Sequence, residues 1–134
     1  MSVTSMKHLG SWRPQLLSVV RVVTGLLFLE HATVKLFGFP ASQMPSPDAL
    51  TAFWWISVLE LVGGVLLIVG LFTRIAAFVL SGEMAVAYFM AHAPQSFFPL
   101  QNGGEAAILF CFVFLYVAAA GPGAWAIDGR RGAS

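Results

Sequence analysis

Residues 52–91 read AFWWISVLELVGGVLLIVGLFTRIAAFVLSGEMAVAYFMA, and only Glu60, Arg74 and Glu83 interrupt the run with charge. Crossing about 30 Å of hydrocarbon takes on the order of 20 helical residues, so the run holds two spans. The break falls at Gly70-Leu71-Phe72-Thr73-Arg74. So short a break predicts an antiparallel helical hairpin, with Thr73 available to cap its second helix. Outward from it, a third apolar run covers about 14–37 and a fourth about 104–120, which makes the expected helices 14–37, 52–72, 74–91 and 104–120.

The breaks between runs carry stop and start signals. Gly38-Phe39-Pro40 ends the first run. Ser46-Pro47-Asp48 supplies an N-cap, a proline at N1 and an acid in the first turn. Asn102, three residues before Glu105, has capping-box spacing at the head of the last run. Gly121-Pro122-Gly123 closes that run, 121–134 is expected to be a short cytoplasmic tail, and Asp128 to Ser134 reads as its solvated part.

Composition agrees with a membrane protein. The 134 residues are 58% hydrophobic and 10% charged, with a mean hydropathy of +0.83, against about a quarter charged in a soluble domain. A net charge of +1 excludes a basic nucleic-acid surface. A single cysteine, Cys111, excludes an internal disulfide, CxxC redox chemistry and cysteine-rich metal sites. The expectation is all-α, one integral-membrane domain over 1–134, built as an antiparallel four-helix bundle. Lys7, Arg13, Arg74, Arg130 and Arg131 fall on one side of four spans, whereas 39–51 and 93–102 hold no Lys or Arg. The positive-inside rule therefore predicts that both termini are cytoplasmic. The first run is expected to stay uncleaved, being too long for a signal peptide and containing Arg21.

Charges at membrane depth cost at least about 2.5 kcal/mol, which singles out Glu30, Glu60, Glu83 and Glu105, with Arg21, His31 and Lys35 on the first helix. On a wheel of about 100° per residue, Arg21, His31 and Lys35 share a stripe facing the bundle, and Glu30 lies well round from it. Two readings stand side by side. In one, Arg21 pairs with Glu83 or Glu60, Lys35 snorkels to the outer interface, and Asn102 with Glu105 caps a helix. In the other, Glu30, His31, Glu60 and Glu105 line a polar cavity open to the outer side and exchange protons with a bound ligand, while Arg21, Lys35 and Glu83 set the charge balance. No metal is expected: a di-iron bundle needs Glu-x-x-His on two helices, and none occurs here. His31 and His92 by themselves do not make a haem site. Phe97-Phe98-Pro99-Leu100 is either part of an interfacial aromatic belt or a lid over a lipid-like ligand. Gly25, Gly63, Gly64 and Gly82 are expected to let helices approach closely.

Several of these stretches resemble the DoxX family of small bacterial membrane proteins. They are Arg21 with Gly25-Leu26-Leu27-Phe28, Glu30-His31 and Lys35-Leu36-Phe37-Gly38-Phe39; Glu60-Leu61-Val62-Gly63-Gly64 with Gly70-Leu71-Phe72-Thr73-Arg74; and Asn102-Gly103-Gly104-Glu105-Ala106. The likeness covers about residues 17 to 128, with Ala32 where family members usually carry glycine. It implies a four-helix bundle in the bacterial inner membrane. Some relatives are membrane subunits of a thiosulfate:quinone oxidoreductase, and others belong to membrane complexes of thiol and oxidative-stress defence. On that likeness the expected function is the membrane subunit of a quinone-linked oxidoreductase. It would hold a quinone and meet a soluble or membrane redox protein, since the chain has no flavin, nucleotide or iron–sulfur motif. The alternative is a non-enzymatic carrier or scaffold for a lipid-like or weakly acidic molecule, working as a homo-oligomer.

Overall fold

A computed structural model describes residues 2–43 and 45–130, and these are all-helical, with no strand among them. The elements are α1 (Val3–Leu9), a 3-10 turn (Gly10–Trp12), α2 (Arg13–Phe37), α3 (Ala52–Val69), α4 (Thr73–Ala87), a π turn (Tyr88–His92), α5 (Pro99–Asn102), α6 (Glu105–Ala120) and α7 (Ile127–Arg130). Among the described residues three stretches are long and apolar enough to cross a membrane: Val3–Phe37, Ala52–Val69 and Thr73–His92. The fourth run is helical over Glu105–Ala120, and its 16 residues reach about 24 Å, short of a full crossing.

Neighbouring helices run antiparallel. Along α2 and α3, Arg21 reaches Leu67 and Lys35 reaches Glu60. The two backbones close up where Gly25 meets Gly64: a Cβ on Gly25 would stand 3.0 Å from Ile68 Cγ1, and one on Gly64 3.2 Å from Leu29 Cδ1. Small residues allow this approach, and close van der Waals packing is what holds helices together in lipid. Gly82, by contrast, borders open space. It lies on the exposed side of α4, so it supports no helix crossing. Between α4 and α6, the Ser81 hydroxyl donates to the Cys111 carbonyl at 2.8 Å. Phe28 of α2 meets α6 edge-on, against Phe110 at 5.5 Å and Phe114 at 5.0 Å between centroids. Phe28, Leu67, Ala77, Leu80, Phe114 and Val117 form the buried centre, while Val23, Leu26, Val62, Phe78 and Phe112 face outward, as lipid-facing positions do.

One end of the structure is closed by the C-terminal segment. Residues 121–128 fold back over α2 and the α3–α4 turn, so Asp128, expected to open a solvated tail, is buried, while 131–134 of that tail lie outside the described residues. Ala124 N–H donates to the Pro14 carbonyl at 3.0 Å, and Trp125 N–H to Ser18 Oγ at 2.9 Å. Asp128, buried, accepts from Phe72 and Thr73 N–H, both at 2.9 Å. The cap of α4 is thus Asp128, and Thr73 becomes the first residue of that helix. The reason is electrostatic: a carboxylate satisfies the free N–H groups of a helix N-terminus and opposes its dipole. The turn beneath needs glycine. Gly70 has φ +73°, and a Cβ there would lie 2.9 Å from Ala126 Cα.

Arg21 is the buried link in this closure. It pairs with neither Glu83 nor Glu60. Its Nε donates to the Leu67 carbonyl at 2.8 Å, its Nη2 to Trp125 O at 2.6 Å and its Nη1 to Pro122 O. Asp128 is near enough to act on its charge. Arg13 and Arg74 sit at this same end, while Arg131 lies outside the described residues.

Two features of helix N-termini also differ from expectation: α3 starts at Ala52 as expected, but its cap is Thr51 and not the Ser46-Pro47-Asp48 signal, and a further helix precedes α2. α3 begins four residues beyond Asp48, capped by Thr51, whose Oγ1 accepts from Trp54 N–H at 3.4 Å; it ends at Val69, where the chain turns at Gly70. α1 adds a helical N-terminus with no buried residue, capped by Ser2.

Asp128→Ala is expected to destabilise the protein by about 1–2 kcal/mol through loss of the cap, and Arg21→Met by about 3 kcal/mol because three carbonyls lose a charged donor. Thermal unfolding in mild detergent should rank Arg21→Met below Asp128→Ala below the parent. Equal midpoints for all three would show that the closure carries no stability.

Candidate functional site

The other end of the helix pairs holds a cluster of charge. Lys35 Nζ lies 3.2 Å from each oxygen of Glu60. Glu60 is 1% exposed, and the Lys35 side chain 26%. From α4, the Glu83 carboxyl lies close enough to Glu60 and Lys35 to interact with both electrostatically. Its Oε2 is buried with no hydrogen-bond partner among the described residues.

The backbone explains the meeting. Lys35 is in the last turn of α2, where a cation complements the dipole. The antiparallel register set by Gly25 and Gly64 carries it alongside Glu60, and the Gly70 hairpin folds α4 so that Glu83 lies at the depth of Glu60. Lys35 therefore turns inward to a carboxylate instead of snorkelling. One ammonium stands against two carboxyl groups. Such an arrangement leaves one carboxyl group without a cationic partner of its own in a low-dielectric setting, where unpaired polar groups are costly.

The remaining site candidates are dispersed. Glu30 and Glu105 are exposed, Glu30 on the outward face of α2 and Glu105 in the first turn of α6. His31 is half-buried, its ring 5.7 Å from Phe110 and its Nδ1 donating to the Leu27 carbonyl at 3.2 Å. Of the four residues expected to exchange protons, Glu60 alone stands in the charged cluster, where Lys35 and Glu83 join it.

Asn102 is buried at the end of α5 and ties the connection to α6 together instead of serving as the N-cap, which is Gly104. Its Oδ1 accepts from Gly104 N–H at 2.7 Å, and its Nδ2 donates to Tyr88 Oη and the Ser96 carbonyl. His92 stacks on Tyr88 and donates to the Asn102 carbonyl. Tyr88 was not singled out by spacing: it opens the π turn Tyr88–His92, and a π turn within an apolar run leaves no sign in the hydropathy pattern. Phe97 and Leu100 are both more than four-fifths exposed, projecting at this end.

A groove of about 730 Å³ opens elsewhere, between the start of α2 and the end of α6. Its wall at Val20 is 15 residues, or about 22 Å, from Lys35. No group of three or more His, Cys, Asp or Glu that could hold a metal occurs among the described residues.

Lys35→Met alone should cost about 3–5 kcal/mol, since it strands a buried carboxylate, whereas Lys35→Met combined with Glu60→Leu should come close to the parent. Thermal unfolding of both variants in detergent checks this. A double variant as unstable as the single one would contradict the pairing.

The sequence model of a family described as DoxX matches residues 16–93, a stretch that contains Lys35, Glu60 and Glu83. A Haemophilus influenzae protein, described as uncharacterized, is 43% identical to this chain, over 93% of this chain and 97% of its own length. No solved structure matches.

Proposed function

The chain belongs to the DoxX family, and on that premise we propose that it is the membrane subunit of a quinone-linked oxidoreductase, with Lys35, Glu60 and Glu83 as its proton-exchanging site. The observation that carries the reading is the Lys35–Glu60 pair within 3.2 Å, joined inside membrane-crossing stretches by a Glu83 oxygen without a partner. Buried ionisable groups at such depth are expensive, and they mark sites of proton or ligand traffic.

In this reading the protein sits in the bacterial inner membrane as an antiparallel four-helix bundle. α6 completes the set, and the closed end carrying Arg13 and Arg74 is cytoplasmic. That orientation follows from the short basic loops at this end and the Lys- and Arg-free loops at the other.

A bound quinone supplies a two-electron, two-proton couple, and the electrons come from a partner redox protein. The donor set fits such a group. Lys35 has three N–H donors, of which a quinone carbonyl can accept one. The orphaned Glu83 oxygen gains a partner from a proton held against Glu60. Glu60 and Glu83 then hold and pass protons, while Lys35 keeps their joint charge near balance. His31, ringed by Phe28 and Phe110, borders the same end of α2 as a second proton carrier.

Purification from the native host in mild detergent, with proteins and extractable quinones identified together by mass spectrometry, should recover a quinone and a redox protein near stoichiometry. In that complex Glu60→Gln should lower quinone turnover by about 10²-fold, the scale of general acid–base catalysis, with the complex still assembled. A chain that arrives alone and empty would favour a carrier or scaffold. Turnover unchanged in Glu60→Gln would remove the proton role.

A further inference from the structure

Residues 93–104, which join α4 and its π turn to α6, take part in neither the proton site nor the closed end. No Asp, Glu, Lys or Arg occurs anywhere between Glu83 and Glu105. The register of the flanking helices fixes the height of this segment. α4 and α6 run antiparallel with Ser81 against Cys111, and one end further on Tyr88 lies against Gly104, where an added Cβ would stand 2.5 Å from the Tyr88 ring. α6 therefore starts level with Tyr88. The apolar crossing stretch Thr73–His92 continues through the π turn, about 6 Å further along the axis. Residues 93–104 fill that step: Asn102 Nδ2 donates to Tyr88 Oη at 3.1 Å and His92 to the Asn102 carbonyl at 3.0 Å, so the segment stands beside the last turn of a membrane-crossing stretch.

Irregular backbone survives at membrane depth only where its polar groups are met inside the protein. Here most of them are. Ala93 N–H donates to the Tyr88 carbonyl, Gln95 N–H to that of His92, Gln101 and Asn102 N–H to that of Phe98, and Gly103 N–H to that of Pro99. Side chains close further gaps: Phe98 N–H donates to Ser96 Oγ, Gly104 N–H to Asn102 Oδ1, and Asn102 Nδ2 to the Ser96 carbonyl. Pro94 and Pro99 carry no N–H to satisfy. The side chains on the far face are apolar and uncovered, with Phe97 86%, Leu100 82% and Phe98 60% exposed. They continue the outward surface of Phe89 and Met90 on the π turn and Leu109 on α6.

We infer that residues 93–104 form a re-entrant segment, which dips into the lipid leaflet at this end and lodges Phe97, Phe98 and Leu100 among acyl chains. Hydrocarbon is the occupant that suits an uncharged face whose backbone bonds turn inward and whose apolar side chains extend a lipid-facing surface. A lid over a ligand needs space beneath it, and beneath this segment Asn102 is 4% exposed and Gly104 is packed on the Tyr88 ring. Glu105, which ends the segment, stands in the first turn of α6, where free N–H groups favour a carboxylate. The segment thereby makes up the height that a 16-residue helix leaves short.

The test is nitroxide accessibility in the full chain, reconstituted in vesicles of phosphatidylethanolamine and phosphatidylglycerol. Cys111→Ala removes the native thiol and leaves the Ser81 bond, which goes to the main chain. Phe97→Cys and Leu100→Cys then carry the label in turn, at exposed positions where it displaces no packing, and Phe112→Cys on the outward face of α6 gives the value for lipid. Circular dichroism checks that each labelled chain stays helical. Oxygen, which concentrates in hydrocarbon, should relax the labels at 97 and 100 more than a neutral water-soluble nickel complex does, shifting their ratio towards that at 112. Nickel exceeding oxygen at either position would overturn the inference by placing that side chain in water. Exclusion of both reagents would overturn it too, by showing that protein, such as a second copy of the chain, covers the segment.

Discussion

A guanidinium placed among apolar helices has to find oxygen, and Arg21 finds it in three main-chain carbonyls. Those of Leu67, Pro122 and Trp125 belong to the end of α3 and to the segment after α6. One side chain of α2 thereby ties together the hairpin and the C-terminus. Asp128 adds the matching charge while capping α4. With this end fixed and Gly25 meeting Gly64 further along, the antiparallel register of α2 and α3 brings Lys35 beside Glu60.

The two ends use charge in opposite ways. Around Arg21, the donors meet carbonyls that the helix ends leave free, so the arrangement completes hydrogen bonds that folding would otherwise lose. Around Glu60, one ammonium pairs with one carboxylate, a second carboxyl group stands nearby, and one of its oxygens goes without a partner. The first set is closed and serves the fold. The second is under-satisfied in a region where unsatisfied polar groups are costly, and the proposed proton exchange draws on this imbalance.

Much of the fold was legible in the sequence. The Gly70–Arg74 break announced the hairpin, the glycines at 25, 63 and 64 announced close helix approach, and the placing of Lys and Arg gathered Arg13 and Arg74 at one end. Wheel angle correctly turned Arg21 and Lys35 inward and Glu30 away. What spacing does not encode is the partner of an inward charge. Carbonyls are present in every residue, so Arg21 had the bonds of Pro122 and Trp125 open to it as well as the carboxylates that stand out in a sequence. Asp128 was hidden for a related reason: it caps a helix more than fifty residues earlier, and capping signals are readable only when they are local. Asn102 kept the spacing of a capping box but was drawn into the loop by Tyr88 and Ser96. Glu30 and Glu105, alike in sequence to Glu60 as acids within apolar runs, are set apart from it by helix rotation and by the position of a helix start.

The central claim is that the carboxyl pair facing Lys35 changes its protonation when quinone binds. Infrared difference spectroscopy of the purified protein, recorded as quinone is added, reads that event directly. The account predicts a change in the carboxyl bands that Glu60→Gln removes while the protein remains folded. A difference spectrum without carboxyl bands, or with bands untouched by Glu60→Gln, would contradict it.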